Sequence, residues 1–117
     1  DVRRRWGDAA RRLGLDGVAF SNYVAALKAD PHDAEALYGL GEVLGARGQR
    51  EDARDVFQQA VAQKADHTNA LLEWARCEGE AGRTEEAMAL YDRVLALDPR
   101  QADAARERAE LGTDRPR

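Results

Sequence analysis

Cysteine is almost missing from this chain. Its 117 residues hold one, Cys77, so no disulfide can close within the chain. A lone cysteine inside a helical pattern reads as a small buried hydrophobe, and it leaves the redox compartment open. Histidine is as scarce, with His32 and His67 alone. They fall in corresponding turns with no cysteine or acidic cluster at ligand spacing, which argues against a metal site. Aromatic residues make up only 6 %. A core with so few rings must close on alanine and other small side chains. That draws helix axes together and favours an all-α fold. No apolar run approaches the roughly 18 residues of a membrane span, so none is expected. Positive charge is not in excess either. The formal net charge is −4, which gives nucleic acid and anionic membranes no global attraction. Lysine is confined to Lys28 and Lys64 among 18 basic residues. With the high alanine content, that points to a GC-rich, bacterial genome. The sequence opens on Asp1 rather than Met, read here as a cut or processed terminus, and localisation stays open.

What the chain does have is a period. Gly14, Gly48 and Gly82 are spaced by 34 residues. Six further columns repeat the step: Ala19, Ala53, Ala87; Tyr23, Phe57, Tyr91; Ala26, Ala60, Val94; Pro31, Ala65, Pro99; Trp6, Leu40, Trp74; and Gly7, Gly41, Ala75. Agreement in residue character over seven columns marks a repeat architecture.

Each repeat holds two helical stretches. Leu37, Leu40, Gly41 and Leu44 follow i, i+3, i+4, i+7 and define one helix face. Gly48 then sits where a helix end favours a left-handed residue. Ala53, Val56, Phe57, Ala60 and Val61 form the stripe of a second helix. Thr68 is positioned to cap the helix that follows. Asp30-Pro31 and Asp98-Pro99 end the flanking second helices, because a residue before proline avoids the α region. The expected helices run over about 2–13, 16–29, 34–46, 51–64, 69–81, 85–97 and 101–111. The last carries Ala104, Ala105, Arg106, Glu107, Arg108 and Glu110 and suits a solubilising cap, with a frayed tail over 113–117.

These residues resemble the tetratricopeptide repeat (TPR) family. Its pattern of W-x2-L-G-x2-Y, A-x3-F and P is met in the middle unit by Leu37, Leu40, Gly41, Leu44, Ala53 and Phe57, with Ala65 in place of the closing proline. The first unit supplies Trp6, Gly7, Ala10, Ala19, Tyr23 and Pro31. The third supplies Leu71, Trp74, Ala75, Ala87, Tyr91 and Pro99. Arg3 stands where the leading aromatic belongs, and Glu78 replaces the second aromatic of the third unit. The resemblance implies an α-solenoid of three helix-turn-helix units, about 1–33, 34–67 and 68–101, plus a capping helix over 102–112, all in a single domain.

Four glycines crowd residues 39–48: Gly39, Gly41, Gly45 and Gly48. Their spacing does not fit a dinucleotide-binding loop, and no strand precedes them. The family pattern implies that Gly41 is the small position where the two helices of a unit touch, opposite Ala53 and Ala60. Gly39 and Gly45, with Gly79 as the latter's counterpart, have two readings: a shallow groove floor or close contact between helices.

The family binds partner peptides along its first helices. Carried over, its positions imply a binding face of Arg4, Asp8, Arg11 and Arg12, then Glu35, Tyr38, Glu42 and Gly45, then Asn69, Leu72, Arg76, Gly79 and Glu80, with Arg106 from the cap. Positions 4, 8, 11 and 12 independently share one helix face. Such a face is basic at Arg4, Arg11 and Arg12, acidic at Glu35 and Glu42, and apolar at Tyr38 and Leu72. Arginine holds carboxylates bidentately, so an acidic peptide with an apolar side chain against Tyr38 is expected. The contrary reading is a solvated face whose charges pair across helices. One TPR subclass grips chaperone C-termini with Lys and Asn, at places held here by Arg4, Asp8, Gly39 and Glu73. Three of those depart from its pattern, and that ligand is not expected.

Catalysis finds no support: Ser21 and Cys77 have no evident base partner, and the acids lie on helical faces. No cofactor is expected. Arg3-Arg4-Arg5 sits beside Trp6, read as core rather than as a nucleic-acid contact. The expectation is therefore an adaptor or scaffold for a protein or peptide partner. The alternatives are a self-associating subunit, with Val2 and Trp6 uncovered at a repeat end, or the repeat segment of a larger protein.

Overall fold

The structure, a computed structural model, describes residues 2–113. Seven α-helices fill them: α1 Val2–Arg12, α2 Asp16–Ala29, α3 Ala34–Ala46, α4 Arg50–Gln63, α5 Thr68–Glu80, α6 Thr84–Leu97 and α7 Ala102–Thr113. No strand occurs among the described residues. The helices follow the expected map to within two residues at each end. Thr113 closes α7, while the rest of the expected tail, 114–117, lies outside the described residues.

The turns inside the hairpins share one mechanism. Gly14, Gly48 and Gly82 take φ of 75°, 79° and 83°, the left-handed region. After Gly48, Gln49 N–H donates to the Leu44 carbonyl at 2.9 Å, and Gly48 N–H donates to Gly45 at 3.0 Å. The same pair of bonds recurs at Leu15→Ala10 with Gly14→Arg11, and at Arg83→Glu78 with Gly82→Gly79. This is the Schellman arrangement, which satisfies carbonyls that a helix end otherwise orphans.

The connections between hairpins also repeat. Asp30, Lys64 and Asp98 end α2, α4 and α6 in an extended conformation, with φ of −143°, −140° and −140°. The middle one does so before Ala65, so proline reinforces that exit without being needed for it. Asp33 caps α3 by accepting from the backbone N–H of Glu35 and Ala36, each at 3.1 Å. Its counterpart is His67, whose Nδ1 accepts from Ala70 N–H at 3.1 Å. The expected cap, Thr68, is instead the first residue of α5.

The chain divides into two compact units, one up to Ala65 and one from Asp66. The first holds α1–α4. Its core joins Ala10, Ala19, Tyr23, Ala26, Ala36 and Val43, with Phe20, Leu27 and Leu40 packed against them. Glycines let the rings sit close to neighbouring backbones. A Cβ on Gly7 would lie 2.8 Å from Tyr23 Cε1, and one on Gly41 would lie 2.6 Å from Phe57 Cε1. Gly41 thus makes room for Phe57, whereas the expectation set it opposite Ala53 and Ala60. Trp6, expected in the core, is 56 % exposed, because the helix that would cover its face is not among α1–α4.

The second unit holds α5, α6 and α7, with α6 in contact with both others. Ala70, Leu71, Ala75, Ala87, Leu90, Tyr91, Val94 and Ala104 are buried. Glu78, at 2 % exposure, is satisfied by Arg83, whose Nη2 approaches its Oε1 to 3.0 Å.

Candidate functional site

In the first unit, α1 and α3 bring five of the expected residues, Arg4, Asp8, Arg11, Tyr38 and Glu42, into one charged cluster. Asp8 is its centre. Its carboxylate accepts from the Tyr23 hydroxyl at 2.5 Å, and meets Arg4 at 3.5 Å and Arg11 at 3.8 Å. Arg4 also reaches Asp33 at 3.4 Å. Arg11 donates from Nε to the Tyr23 hydroxyl at 3.1 Å and lies 4.0 Å from Glu42. The Arg11 guanidinium stands over the Tyr38 ring at 6.0 Å, within range of a cation–π attraction. Tyr38 packs on Phe57 with ring centroids 5.9 Å apart. Arg12 is exposed with no ionic partner among the described residues, and Glu35 is exposed on α3.

Burial, with the hydrogen bond to Asp8, pushes the Tyr23 hydroxyl up to about 12 against the opposing pull of Arg11. Burial alone would lower the Arg11 pKa. The Tyr23 hydrogen bond and the carboxylates of Glu42 and Asp8 outweigh it and raise the value. The expected basic end is therefore neutralised: Arg4 and Arg11 are compensated by Asp8, Asp33 and Glu42. An acidic ligand that used either arginine would have to displace a carboxylate already in place.

The second unit treats its expected residues differently. Leu72 is buried at 6 % exposure and offers no apolar strip to a ligand. Arg76 grips Glu107 of α7 through two parallel bonds, at 2.8 and 2.7 Å, and also meets Glu73 at 3.3 Å and Asp103 at 3.7 Å. The Tyr91 hydroxyl donates to the same Glu107 at 2.9 Å. The Arg76 bonds hold the Glu107 carboxyl below the ordinary range, and the same bonds raise the Arg76 pKa. Burial, then the bond to Glu107, raises Tyr91. Beside this group lies a cleft of about 240 Å³ bordered by Arg76, Gly79, Tyr91, Glu107 and Leu111. Arg106, the expected contribution of the cap, is 60 % exposed beside Asp103 at 3.1 Å.

The glycine readings separate here. A Cβ on Gly39 would sit 2.3 Å from Tyr23 Cζ, so this glycine serves close contact. A Cβ on Gly79 would lie 3.6 Å from Leu111 Cδ2, and one on Gly45 would meet only Ala53 Cβ at 4.0 Å, so both positions would accept a methyl group. Sequence reasoning missed Tyr23, Asp33 and Glu107 as members of these clusters. The available signal was the choice of Tyr at 23 and 91 where 57 is Phe, since a buried hydroxyl needs a partner.

Among the described residues, no group of three or more His, Cys, Asp or Glu is placed to hold a metal ion. No described helix is long and apolar enough to cross a membrane.

The tetratricopeptide repeat model matches residues 18–71 and 46–111. The chain is 32 % identical over 77 residues to "Protein CTR9 homolog" of Arabidopsis thaliana, across 66 % of this chain and 7 % of that protein. It is 35 % identical over 103 residues to "Photosystem I assembly protein Ycf3" of Rippkaea orientalis, across 80 % of this chain and 60 % of that one. It therefore spans under two thirds of the length of either relative. Among solved structures, the first TPR of Spaghetti (RPAP3) bound to HSP90 peptide SRMEEVD superposes with a TM-score of 0.91 at 22 % identity, covering 96 % of this chain and 89 % of that one.

Proposed function

The chain belongs to the tetratricopeptide repeat family and is a protein-interaction module, and on that premise we propose that it holds a partner segment against α1 and α3 without catalysing a reaction on it. The observation that carries this is the half-buried Tyr38 ring between opposite charges, with Arg11 at 6.0 Å and Glu35 and Glu42 on its own helix. An aromatic with a rigid neighbour gives a partner's apolar side chain a contact at low entropic cost. Arg12 is the cation open to a partner carboxylate on this face. Glu35, exposed at the start of α3, suits a partner cation. The preferred ligand is thus a segment with an apolar residue flanked by both signs of charge.

A peptide ending in acidic residues, such as the one bound to the RPAP3 domain, is not the ligand proposed. Asp8 and Glu73 stand at two of the positions such a tail would approach, and like charges there are repulsive. The large uncovered portions of the relatives leave room for this module to serve a longer protein.

The test is capture of a partner on immobilised chain, with identification by mass spectrometry, followed by Arg12→Glu and Glu35→Lys variants. Both residues are exposed at helix ends, so each variant should cost no more than about 1 kcal/mol in melts, from the reversed end charge. Loss of the captured partner in both supports the face. Undiminished capture in both, and in Tyr38→Ala, removes it.

A further inference from the structure

Helix α1 has a second face, away from the Asp8 cluster, and it is apolar and open. Val2 is 59 % exposed, Trp6 56 % and, just past the helix end, Leu13 75 %. With Ala9 these follow i, i+4, i+7, i+11, a continuous helical stripe. Val18 of α2 and Leu15 before it are also exposed, at 52 % and 49 %. The further large apolar side chain exposed among the described residues is Leu97 of α6. Scattered single hydrophobics are ordinary on a surface, but three in register along one helix, with two more at the adjoining turn and the start of α2, are not.

The repeat itself indicates what such a face accepts. Thirty-four residues on, Ala36, Leu40 and Val43 of α3 occupy the columns of Val2, Trp6 and Ala9. There the face is filled: Ala36 and Val43 are buried with Tyr23 and Ala26 of α2, and Phe20, Leu27 and Leu40 pack alongside. The complement of this stripe is therefore an amphipathic helix of the α2 kind, with an aromatic and small residues on one side.

Charge selects among helices. Arg3 and Arg12 are exposed on α1, Arg12 at the border this stripe shares with the Asp8 side, while Arg3 lies over the Trp6 ring at 5.4 Å and donates to Asn22 Oδ1 at 3.4 Å. The acids of this hairpin are Asp8, already engaged by Arg4, Arg11 and Tyr23, and Asp16, half-buried in the first turn of α2. A second copy presenting the same stripe would set arginine against arginine, and its one other exposed large hydrophobic, Leu97, makes no stripe. We propose that this face docks an amphipathic helix of a partner protein whose apolar stripe is flanked by Asp and Glu.

The chain supplies its own probe. The sequence of residues 84–98 is a second-helix sequence with Leu90, Tyr91 and Val94 on one side and Glu85, Glu86, Asp92 and Asp98 around them. A labelled synthetic peptide of that sequence would be titrated into the whole chain and followed by anisotropy. Isolated helices of this length are marginal in water, so ordering on binding will hold the affinity to the micromolar or weaker range. The expected result is saturable binding that weakens about tenfold when the four acids are changed to Lys. Trp6→Glu should abolish it, and Leu13→Ser, at a more exposed position, should weaken it independently. Tyr38→Ala should leave it unchanged, which separates this surface from the α1–α3 face.

Several results would overturn the proposal: no saturation at millimolar peptide, equal binding of the charge-reversed peptide, or binding that survives both Trp6→Glu and Leu13→Ser. So would a dimer of the chain in sedimentation that Trp6→Glu dissociates, since a second copy would then be the occupant. Loss of the peptide from the parent with retention of anionic phospholipid vesicles, lost again in Trp6→Glu, would assign the face to a membrane surface instead.

Discussion

Gly39 of α3 lies so close to the Tyr23 ring of α2 that a methyl group on it would stand 2.3 Å from Tyr23 Cζ. Tyr23 has no room to retreat. It is fully buried, its ring also lies close against Gly7, and its hydroxyl is held by Asp8 and Arg11. Alanine normally improves a helix over glycine by about 1 kcal/mol. Overpacking a fixed ring costs about 1–3 kcal/mol, so the clash should win. Gly39→Ala is expected to lower stability by up to about 2 kcal/mol in denaturant melts. Gly45→Ala, on the same helix but 4.0 Å from its nearest neighbour, should raise it by about 0.5–1 kcal/mol. Equal signs for the two would contradict the contact.

Glu107 ties α7 to α5 and α6 through Arg76 and Tyr91. Glu107→Ala strips the Tyr91 hydroxyl of its acceptor and Arg76 of its two-pronged partner. Arg76 retains Glu73 and Asp103 and some solvent, so the cost should be about 1–2 kcal/mol rather than that of a lone buried charge. Hydrogen exchange should quicken first in α7. The pH dependence has a definite sign. The folded carboxyl sits below its ordinary 4.5, so its contribution is present above that pH and is lost as pH falls through the depressed value. Parent and Glu107→Gln melting curves should converge in acid.

The two buried tyrosines give the opposite limb. Tyr23 is shifted up to about 12 from 10, and Tyr91 is shifted the same way. A raised folded pKa favours the neutral phenol, so stability should hold up to about pH 10 and fall as pH rises toward 12. Tyrosinate absorbance should appear in the native chain later than in the same chain in denaturant. Coincident titrations would mean that neither hydroxyl is shielded.

The helices and their turns were legible because each depends on local chemistry that recurs every repeat. A left-handed glycine closes the first helix wherever Gly14, Gly48 or Gly82 falls. Legibility stopped where the answer depended on distance between helices. Spacing placed Arg4 and Arg11 on one face of α1, but only the approach of Asp33 and Glu42 decides that they are already paired. Trp6 shares a column with Leu40, yet a column confers burial only where another helix packs on it: Leu40 lies against the core residues of α2, and no helix of α1–α4 packs on Trp6. Residue type alone favours Thr68 as the cap. Its neighbour His67 holds the capping position, matching Asp33 one repeat earlier.

Asp33 does two jobs that substitution can separate. Its Oδ1 accepts from the N–H groups of Glu35 and Ala36, and its Oδ2 lies 3.4 Å from Arg4 of α1. Asparagine retains the capping oxygen and removes the charge, whereas alanine removes both. Asp33→Ala is expected to cost about 1–2 kcal/mol, the usual range for a lost cap with a minor ionic share. Asp33→Asn should cost at most about 0.5 kcal/mol, and added salt should erase the difference from the parent. An Arg4→Ala background tests the division. There the two Asp33 variants should still differ by the capping energy, while parent and Asp33→Asn become alike. If Asp33→Asn instead proves as costly as Asp33→Ala, the ion pair rather than the cap fixes α1 to the start of α3, and Arg4 carries more of the fold than its partly exposed position indicates.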